Sequence, residues 1–534
     1  MQIPPPDWVS FDANKTQGLD LLGLRAPVQA KSNQLLNGLT SVTPKLRYLS
    51  VLTWVIWRYT ECRLPDHRSD FIRFAAAQEA AIVMANLVHD RTTLGLVGVG
   101  KGTANIDSGR RTMPLEALVR NIAFNIYASA SLQLHLTFET DTGLLGLSKE
   151  RGLLLARAFD RIIGPTRYGE RLANRGLLKR VPRADIEQLG KQMCLDDLPK
   201  REKAILIDAL FPTSPIDAAE GRRIATLALL LWLSARKRAW IDQTDLFDAA
   251  REPPRRIPEA FKTTLDGWLD YQLRDVIAVT HEAVMDAVMV EVDALSARRR
   301  AAALASDVVA TLLSSVDEHN DALRLLGLLA DGETVERTSF AEMSDRVQRA
   351  CQNRQTFENG LRRWRGGLSE SQLCEAALGA GAAAAALLPI AWCLAAYRIS
   401  PDAGQTASLR TVADLGGFFQ IGLGAVVMPK LDEFVRDKST YLQVMSELIV
   451  RTVQQHLRVT WQRFAMQGQD VSVLVADLET WARNNVFRAG QTESRLGIAI
   501  SWLQQLDLIS EDGITTDGQR ILDRALASFA TVMP

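Results

Sequence analysis

Apolar residues recur along most of the chain at the spacing of an α-helix. In residues 71–89, for example, Phe74, Ala77 and Ala81 lie on one helical face. Runs in which apolar and polar residues alternate, the pattern of a half-buried strand, are few and short. The sequence therefore predicts an all-α protein made of several packed helical bundles. Its long helices are predicted over residues 71–89, 222–236, 261–300, 301–329, 406–424 and 441–466.

The end of the sequence has a different pattern, which predicts a C-terminal winged-helix-like domain. The dipeptide Asp512-Gly513 lies between two short apolar runs, and this is a strong hairpin signal. A helix that leads into a two-stranded wing is the winged variant of helix-turn-helix. The predicted order is a helix over residues 471–483, a helix over 494–505, a hairpin over 506–516 and a helix from 517, with caps at Thr492 or Ser494 and at Asp517.

A looser copy of this arrangement is predicted earlier in the chain. A helix over residues 125–134 would lead into a wing over residues 134–148 and a helix over residues 149–159. Both copies share a Leu-x-Leu end, a glycine-containing turn, a hydroxyl residue and a glycine before an aliphatic run. This pattern predicts a second, N-terminal winged-helix-like domain.

Length and turn-rich stretches predict how the chain divides. A chain of 534 residues exceeds what one hydrophobic core usually serves, and clusters of proline and glycine mark candidate boundaries. The prediction is a helical domain over residues 1–110, a winged-helix-like domain with a basic extension over 111–183, a helical domain over 184–365, an apolar helical domain over 366–465 and a winged-helix domain over 466–534.

Charge and cysteine content narrow the function classes. Lysine plus arginine equals aspartate plus glutamate at 62 each, so nucleic-acid binding would have to use a local patch. The five cysteines are scattered without a CxxC pair, which disfavours a disulfide framework and a zinc knuckle. Buried thiols in a reducing cytoplasm fit better. The first residues also lack the pattern of a signal peptide.

One uncharged segment, residues 376–397, is long enough to span a bilayer. It is rich in alanine and glycine and contains Pro389, which favours a buried helical hairpin. We therefore expect a cytoplasmic protein without membrane contact.

Basic residues concentrate in residues 151–183, which contain nine cationic side chains and only two acidic ones. Tyr168 lies beside Arg167, as aromatic and basic residues do in many nucleic-acid binders. A second basic stretch, residues 346–365, has six arginines against Glu358. An ordinary solvated helical face remains the alternative for both stretches. The candidate nucleic-acid contacts are Arg157, Arg161, Arg167, Arg171, Arg175, Lys179 and Arg180, with Arg495 and Gln504 on the predicted recognition helix of the C-terminal domain.

Catalytic motifs are weak in this sequence. Residues 95–101 have the spacing of a phosphate-binding loop with Lys101, but Gly102 stands where serine or threonine would hold magnesium. Residues 104–110 also do not have the pattern of a helix opening after such a loop, and a glycine-rich turn is the simpler interpretation. The six histidines show no metal-ligand spacing. We expect no catalytic residue, cofactor or metal site.

The N-terminal region contains a distinctive stretch, Leu35-Leu-Asn-Gly-Leu-Thr-Ser-Val-Thr-Pro-Lys-Leu-Arg-Tyr-Leu-Ser50, preceded by Leu21-Leu-Gly-Leu24 and followed by Trp54 and Trp57. In physical terms, Thr43-Pro44 predicts a helix N-cap followed by proline in the first turn. The stretch resembles the N-terminal signature of poorly characterised bacterial proteins of anti-phage defence loci. That resemblance implies a role in a multi-component defence system that senses or holds foreign DNA.

The leading hypothesis is a non-enzymatic DNA-associating or scaffold subunit of a bacterial anti-phage or anti-plasmid defence complex. Its partners would be other subunits of that complex, an ATPase among them, and DNA. Two alternatives stay open. One is a kleisin-like adaptor that docks on an SMC-type ATPase without touching DNA, and the other is a nuclease or nucleotide-dependent enzyme whose site is assembled only in space.

Overall fold

The computed structural model describes residues 20–352, 357–359, 362–364, 367–400, 426–468, 470–477 and 479–532. Helices predominate in these residues, which confirms the predicted all-α class. The helices are α1 Arg25–Leu35, α2 Tyr48–Glu61, α3 Arg68–His89, α4 Val99–Asp107, α5 Ala123–Gln133, α6 Gly152–Ile163, α7 Arg167–Arg175, α8 Arg183–Gln192, α9 Lys200–Leu210, α10 Ala218–Lys237, α11 Gln243–Arg251, α12 Lys262–Arg299, α13 Ala305–Ser314, α14 Val316–Leu325, α15 Phe340–Gln352, α16 Glu370–Ala377, α17 Ala384–Ile399, α18 Met428–Arg436, α19 Tyr441–Gln467, α20 Leu496–Gln505 and α21 Thr516–Val532.

The strands are short and all of their pairings are antiparallel. They are β1 Thr112–Pro114, β2 Thr137–Glu139, β3 Leu145–Leu147, β4 Arg180–Pro182, β5 Ala303–Leu304, β6 Phe357–Asn359, β7 Arg362–Trp364, β8 Leu474–Asp477, β9 Thr480–Arg483, β10 Ile509–Ser510 and β11 Gly513–Ile514. β1 pairs with β4, β2 with β3, β6 with β7 and β10 with β11, and β5, β9 and β8 form a three-stranded sheet in that order.

The described chain forms two compact units, each built from segments that are far apart in sequence. We call Asp266–Thr492 with Met1–Lys31 the long-helix unit, and Ser32–Leu265 with Glu493–Pro534 the two-copy unit. This division differs from the five consecutive domains predicted from sequence. The predicted terminal domain, residues 466–534, is itself split at residue 492.

The long-helix unit is organised around α12, which has 38 residues. In its middle, the buried His281 accepts a hydrogen bond at Nε2 from Trp392 Nε1 of α17 (3.0 Å). His281 Nδ1 lies 2.8 Å from Thr452 Oγ1 of α19, and the Thr452 hydroxyl donates to the Leu448 carbonyl. His281 Nδ1 is therefore the donor in its bond to Thr452, so the ring is neutral.

The uncharged segment, residues 376–397, contains only the last two residues of α16 and most of the buried helix α17, and these two helices pack on each other. Two helical spans among the described residues are long and apolar enough to cross a membrane by length and composition alone, Arg68–His89 and Gly381–Ile399. In each span 83% of the apolar window is buried inside the fold, as in a core helix of a soluble protein.

The two-copy unit buries α2 against α6 and α3 against α8. Arg47, just before α2, is almost fully buried and forms a two-pronged ion pair with Glu202 of α9, with Nη2 2.9 Å from Oε1 and Nε 3.2 Å from Oε2. Its remaining nitrogen donates to the Cys194 carbonyl, and its guanidinium lies over the ring of Phe159.

The unit takes its name from two helix–hairpin–helix copies. The first copy is α5, β2, β3 and α6, and the second is α20, β10, β11 and α21. Two residues beyond the end of each first helix lies a residue with positive φ, His135 at 53° and Asp507 at 55°. The leucine that follows in each copy, Leu136 or Leu508, donates from its backbone N–H to the carbonyl five residues earlier at 2.9 Å.

The second half of each copy is also shared. A hydroxyl residue after the hairpin, Ser148 or Thr515, donates from its backbone N–H to the carbonyl of that same leucine. Its side-chain oxygen accepts the N–H of a glycine in the next helix, Gly152 at 2.9 Å or Gly518 at 3.0 Å. A Cβ on either glycine would overlap the leucine carbonyl oxygen, so both positions require glycine. The similarity noted from sequence is therefore a similarity of backbone geometry.

Several local predictions are wrong. Residues 471–483 do not form the predicted helix. Leu474–Asp477 and Thr480–Arg483 form the antiparallel hairpin β8–β9, and β9 also pairs with β5. Residues 104–107, predicted as non-helical, belong to α4. The predicted helix over residues 406–424 lies outside the described residues.

Three predicted caps also differ from the structure. α2 begins after Arg47 and not after Thr43, whose hydroxyl bonds with Thr40 instead. The N-terminus of α21 is capped by Thr515 and not by Asp517. α20 begins after Arg495, although the Ser494 hydroxyl does accept the N–H of Leu496 (3.2 Å).

Candidate nucleic-acid interface

The first predicted contacts lie on α6. Arg157 and Arg161 are exposed and stand four residues apart, so they share one face of the helix. The opposite face is buried, with Leu155, Phe159 and Ile163 at 0% exposure. Burial of that apolar face fixes the helix and leaves both arginines in solvent.

A three-residue turn, Gly164-Pro165-Thr166, joins α6 to α7. The Thr166 hydroxyl accepts the N–H of Gly169 (3.0 Å) and so caps α7. A side chain at Gly169 would overlap the Ile163 carbonyl oxygen at the end of α6. The two helices are therefore held together by a close backbone approach that only glycine allows.

α7 carries two exposed cations at its ends, Arg167 and Arg175. The predicted contact Arg171 is different, because its Nε donates to the buried carboxylate of Asp185 on α8 (2.6 Å). Tyr168 is fully buried, and its hydroxyl donates to Gln78 Oε1 (2.6 Å). Arg171 and Tyr168 therefore hold α7 in place, and the tyrosine ring is not accessible for stacking on a base.

The strand pair β1–β4 adds two cations that the sequence analysis missed. Lys179 and Arg180, at the start of β4, are exposed as predicted contacts. Pairing of β4 with β1, together with the bond from Arg183 N–H to the Arg111 carbonyl (2.9 Å), places the exposed Arg110 and Arg111 beside this segment. The bond joins residues 72 apart in sequence, so a count of local charge could not find it.

We define the basic surface as eight exposed cations of the two-copy unit that form no ion pair among the described residues. They are Arg110, Arg111, Arg157, Arg161, Arg167, Arg175, Lys179 and Arg180.

Most nearby carboxylates accept hydrogen bonds from residues outside the basic surface. Asp160 accepts from Trp54 Nε1 and from Arg58, Asp185 from Arg171, and Glu187 from Arg183. Glu170, exposed on α7, is the one carboxylate in residues 151–183 without a described partner. The basic surface therefore has a net positive charge that its own neighbourhood does not neutralise.

The two predicted contacts on α20 lie in a different setting. Arg495 is half-buried, and its Nη1 donates to the Leu39 carbonyl (2.6 Å). Gln504 is half-buried on a helix whose Trp502 is almost fully buried and donates to the Thr43 carbonyl (2.8 Å). α20 thus packs on residues 39–46 of its own unit, and Arg495 is held there.

Other sequence candidates also have structural partners. Lys101 pairs with Glu116 (3.0 Å) and donates to the Ala117 carbonyl, so its ammonium is not free for a phosphate. In the second basic stretch Arg346 pairs with Glu333 and Glu342, and most of the remaining side chains of residues 346–365 lie outside the described part. No three metal-ligating side chains come together among the described residues.

Comparison with known proteins assigns no family. No family model, no curated protein and no solved structure matches the chain.

Proposed function

We propose that this protein is a DNA-associating subunit of a multi-component bacterial defence system against phages or plasmids, and that it binds DNA through the basic surface. The observation that carries the proposal is the grouping of eight exposed, unpaired cations along α6, α7 and the β1–β4 pair, in a chain whose net charge is zero. The defence context comes from the sequence resemblance of residues 21–57. We place the protein in the cytoplasm with partner subunits, an ATPase among them.

Phosphate binding explains a surface on which exposed cations greatly outnumber unpaired carboxylates. Each phosphate neutralised by lysine or arginine releases counterions, and the logarithm of affinity falls with the logarithm of salt by about 0.9 per contact on B-form DNA. Eight cations allow a slope of up to about −7 by that rule. A solvated face with the same number of charges would be expected to pair or alternate them.

The two helix–hairpin–helix copies are proposed to be winged-helix-like modules with different tasks. The first copy ends with α6, which carries Arg157 and Arg161. The second copy buries α20 against residues 39–46, so its role is proposed to be internal support of the unit.

The test is DNA binding by a variant in which Arg167, Arg175 and Arg180 are all changed to glutamate. We expect affinity to fall on the order of 10²-fold at about 0.1 M salt, and the salt slope to become shallower by about 3, because three cations that displace counterions from DNA are lost. Fluorescence anisotropy with a labelled duplex over a series of salt concentrations measures both quantities.

The matched control changes Arg238, Arg255 and Arg256 to glutamate. These arginines are exposed in the same unit and form no ion pair among the described residues, so the change in net charge is identical. The control is expected to bind almost as well as the parent protein. Equal losses in both variants would show a general charge effect, and unchanged binding by the first variant would exclude the basic surface.

A further inference from the structure

We propose that α6 and α7 form a helix-turn-helix whose second helix, α7, enters the major groove of duplex DNA. This inference rests on the proposed function and specifies the form of nucleic acid and the element that contacts the bases. Its evidence is the turn between the helices, the exposed face of α7 and the cations on either side of it.

The joint between α6 and α7 has the features of a helix-turn-helix motif. Such motifs join two helices through a turn of three or four residues that often contains glycine, and here the turn is Gly164-Pro165-Thr166. Gly169 in the first turn of α7 lies directly against the end of α6. This contact fixes one helix on the other, as a recognition helix requires.

The exposed face of α7 is polar and suited to base edges. Tyr168, Gly169 and Leu172 form the buried face, with Tyr168 and Leu172 at 0% exposure. Arg167, Glu170 and Asn174 lie on the exposed side. These are the residue types that recognise guanine, cytosine and adenine, respectively, in the major groove.

Glu170 distinguishes a helix in the groove from a helix that lies along the phosphates. A carboxylate in the middle of a phosphate-binding row would be repelled, whereas in the major groove it can accept a hydrogen bond from cytosine N4. The position of this one unpaired carboxylate between Arg167 and Arg175 therefore favours the groove.

Exposed cations stand on the elements that come before and after α7 in the chain, and we assign them to the DNA backbone. Arg157 and Arg161 lie on the preceding helix, which in helix-turn-helix proteins crosses the backbone. Arg180 and Arg111 lie on or beside the β1–β4 pair, which follows α7 after a short connection at Gly176. The motif thus has phosphate contacts before and after its proposed groove helix.

Stacking on single strands is not supported by the same residues. Single-strand binders stack bases on exposed aromatic rings, and the two aromatic residues within residues 152–183, Phe159 and Tyr168, are both fully buried. A duplex also carries about one charge per 1.7 Å of helix axis, so cations gain more from it than from a single strand.

The experiment is selection of bound sequences from a randomised duplex DNA library by the full chain, compared with its Glu170→Ala and Asn174→Ala variants. Gln192→Ala, an exposed change on α8, is the control. The parent protein is expected to enrich a sequence preference, and each α7 variant to lose discrimination at one position by about five- to a hundredfold. The salt slope of the Asn174→Ala variant should stay unchanged, because no phosphate contact is lost.

The possible results separate the two proposals. Three results would overturn the groove assignment and leave DNA association standing. They are enrichment that neither α7 variant alters, tighter binding to the single strand or to duplex RNA, and absence of any sequence preference. Failure of the parent protein to bind any of these nucleic acids would refute the proposed function itself. Circular dichroism of each variant confirms that the fold is retained.

Discussion

The buried pair of Arg47 and Glu202 is expected to be a sensitive ionic contact of the two-copy unit. Both side chains are at most 2% exposed, and Arg47 uses two nitrogens for Glu202 and one for the Cys194 carbonyl. Glu202→Leu leaves a buried guanidinium without its counter-charge, and breaking such a pair costs about 3–5 kcal/mol. Since whole proteins are stable by about 5–15 kcal/mol, this loss is a large fraction of the total.

A double-mutant cycle isolates the interaction from the loss of the side chains. Arg47→Met should destabilise by a similar amount, whereas the double variant Arg47→Met/Glu202→Leu should be less destabilised than either single variant, because no charge is then buried alone. The expected coupling energy is therefore at least about 3–5 kcal/mol.

Urea unfolding followed by circular dichroism gives the three free energies. Hydrogen exchange of amides in α2 and α9 localises the effect to this unit. Additive single changes, with a coupling energy below about 1 kcal/mol, would mean that the pair behaves like a surface ion pair and that burial does not govern it.

Three further predictions follow from burial and packing elsewhere. Burial lowers the pKa of His281 from 6.5 to about 3, so neutral His281 stabilises the fold above about pH 6.5, and this contribution is lost as the pH falls towards 3. Nitrogen NMR of the imidazole should show no titration between pH 8 and 5. A midpoint near 6.5 would contradict the buried network. Burial raises the pKa of Glu79 from 4.5 to about 7, so its contribution to the free energy of unfolding is full below about pH 4.5 and falls by up to about 3 kcal/mol as the pH rises to 7. Glu79→Gln should remove this pH dependence of the free energy measured by urea unfolding. An unchanged pH dependence would assign it to another group. Gly518→Ala should destabilise the protein by about 1–3 kcal/mol, because the added Cβ would overlap the Leu508 carbonyl. Gly221→Ala should stabilise it by about 0.5–1 kcal/mol, because this helical glycine has open space around it. Equal effects of the two changes on thermal unfolding would refute the packing argument.

Local signals in the sequence predicted local structure well. The dipeptide Asp512-Gly513 predicts the hairpin at β10–β11, and the apolar periodicity of residues 71–89 and 441–466 predicts α3 and α19. The shared Leu-x-Leu, hydroxyl and glycine pattern also corresponds to a shared backbone arrangement. In each case the residues that carry the signal lie close together in the chain.

The main errors in predicting this fold from its sequence come from a misassigned periodicity and from pairing between residues far apart in the chain. Residues 471–483 contain both helix-compatible leucines and alternating valines, and pairing of β9 with β5 decides in favour of strands. The division into two units depends on residues 493–534 packing with residues 32–265, which no local composition can indicate.

The candidate site was predictable only in part for the same reason. Six of its eight cations stand in one basic stretch, whereas Arg110 and Arg111 reach it through the β1–β4 pairing. Conversely, Arg171 and Arg495 are occupied by Asp185 and by the Leu39 carbonyl, and a single sequence does not show which cations have internal partners.

The packing of α20 on residues 39–46 has a consequence for how the protein is made. Trp502 and Gln505 satisfy the carbonyls of Thr43 and Pro44, although these residues leave the ribosome hundreds of residues earlier. Until α20 is synthesised, these carbonyls bond with water, and the apolar surface that α20 covers stays exposed to chaperones and proteases. Translation that stops before residue 493 therefore leaves the N-terminal part of this unit without the helix that covers it.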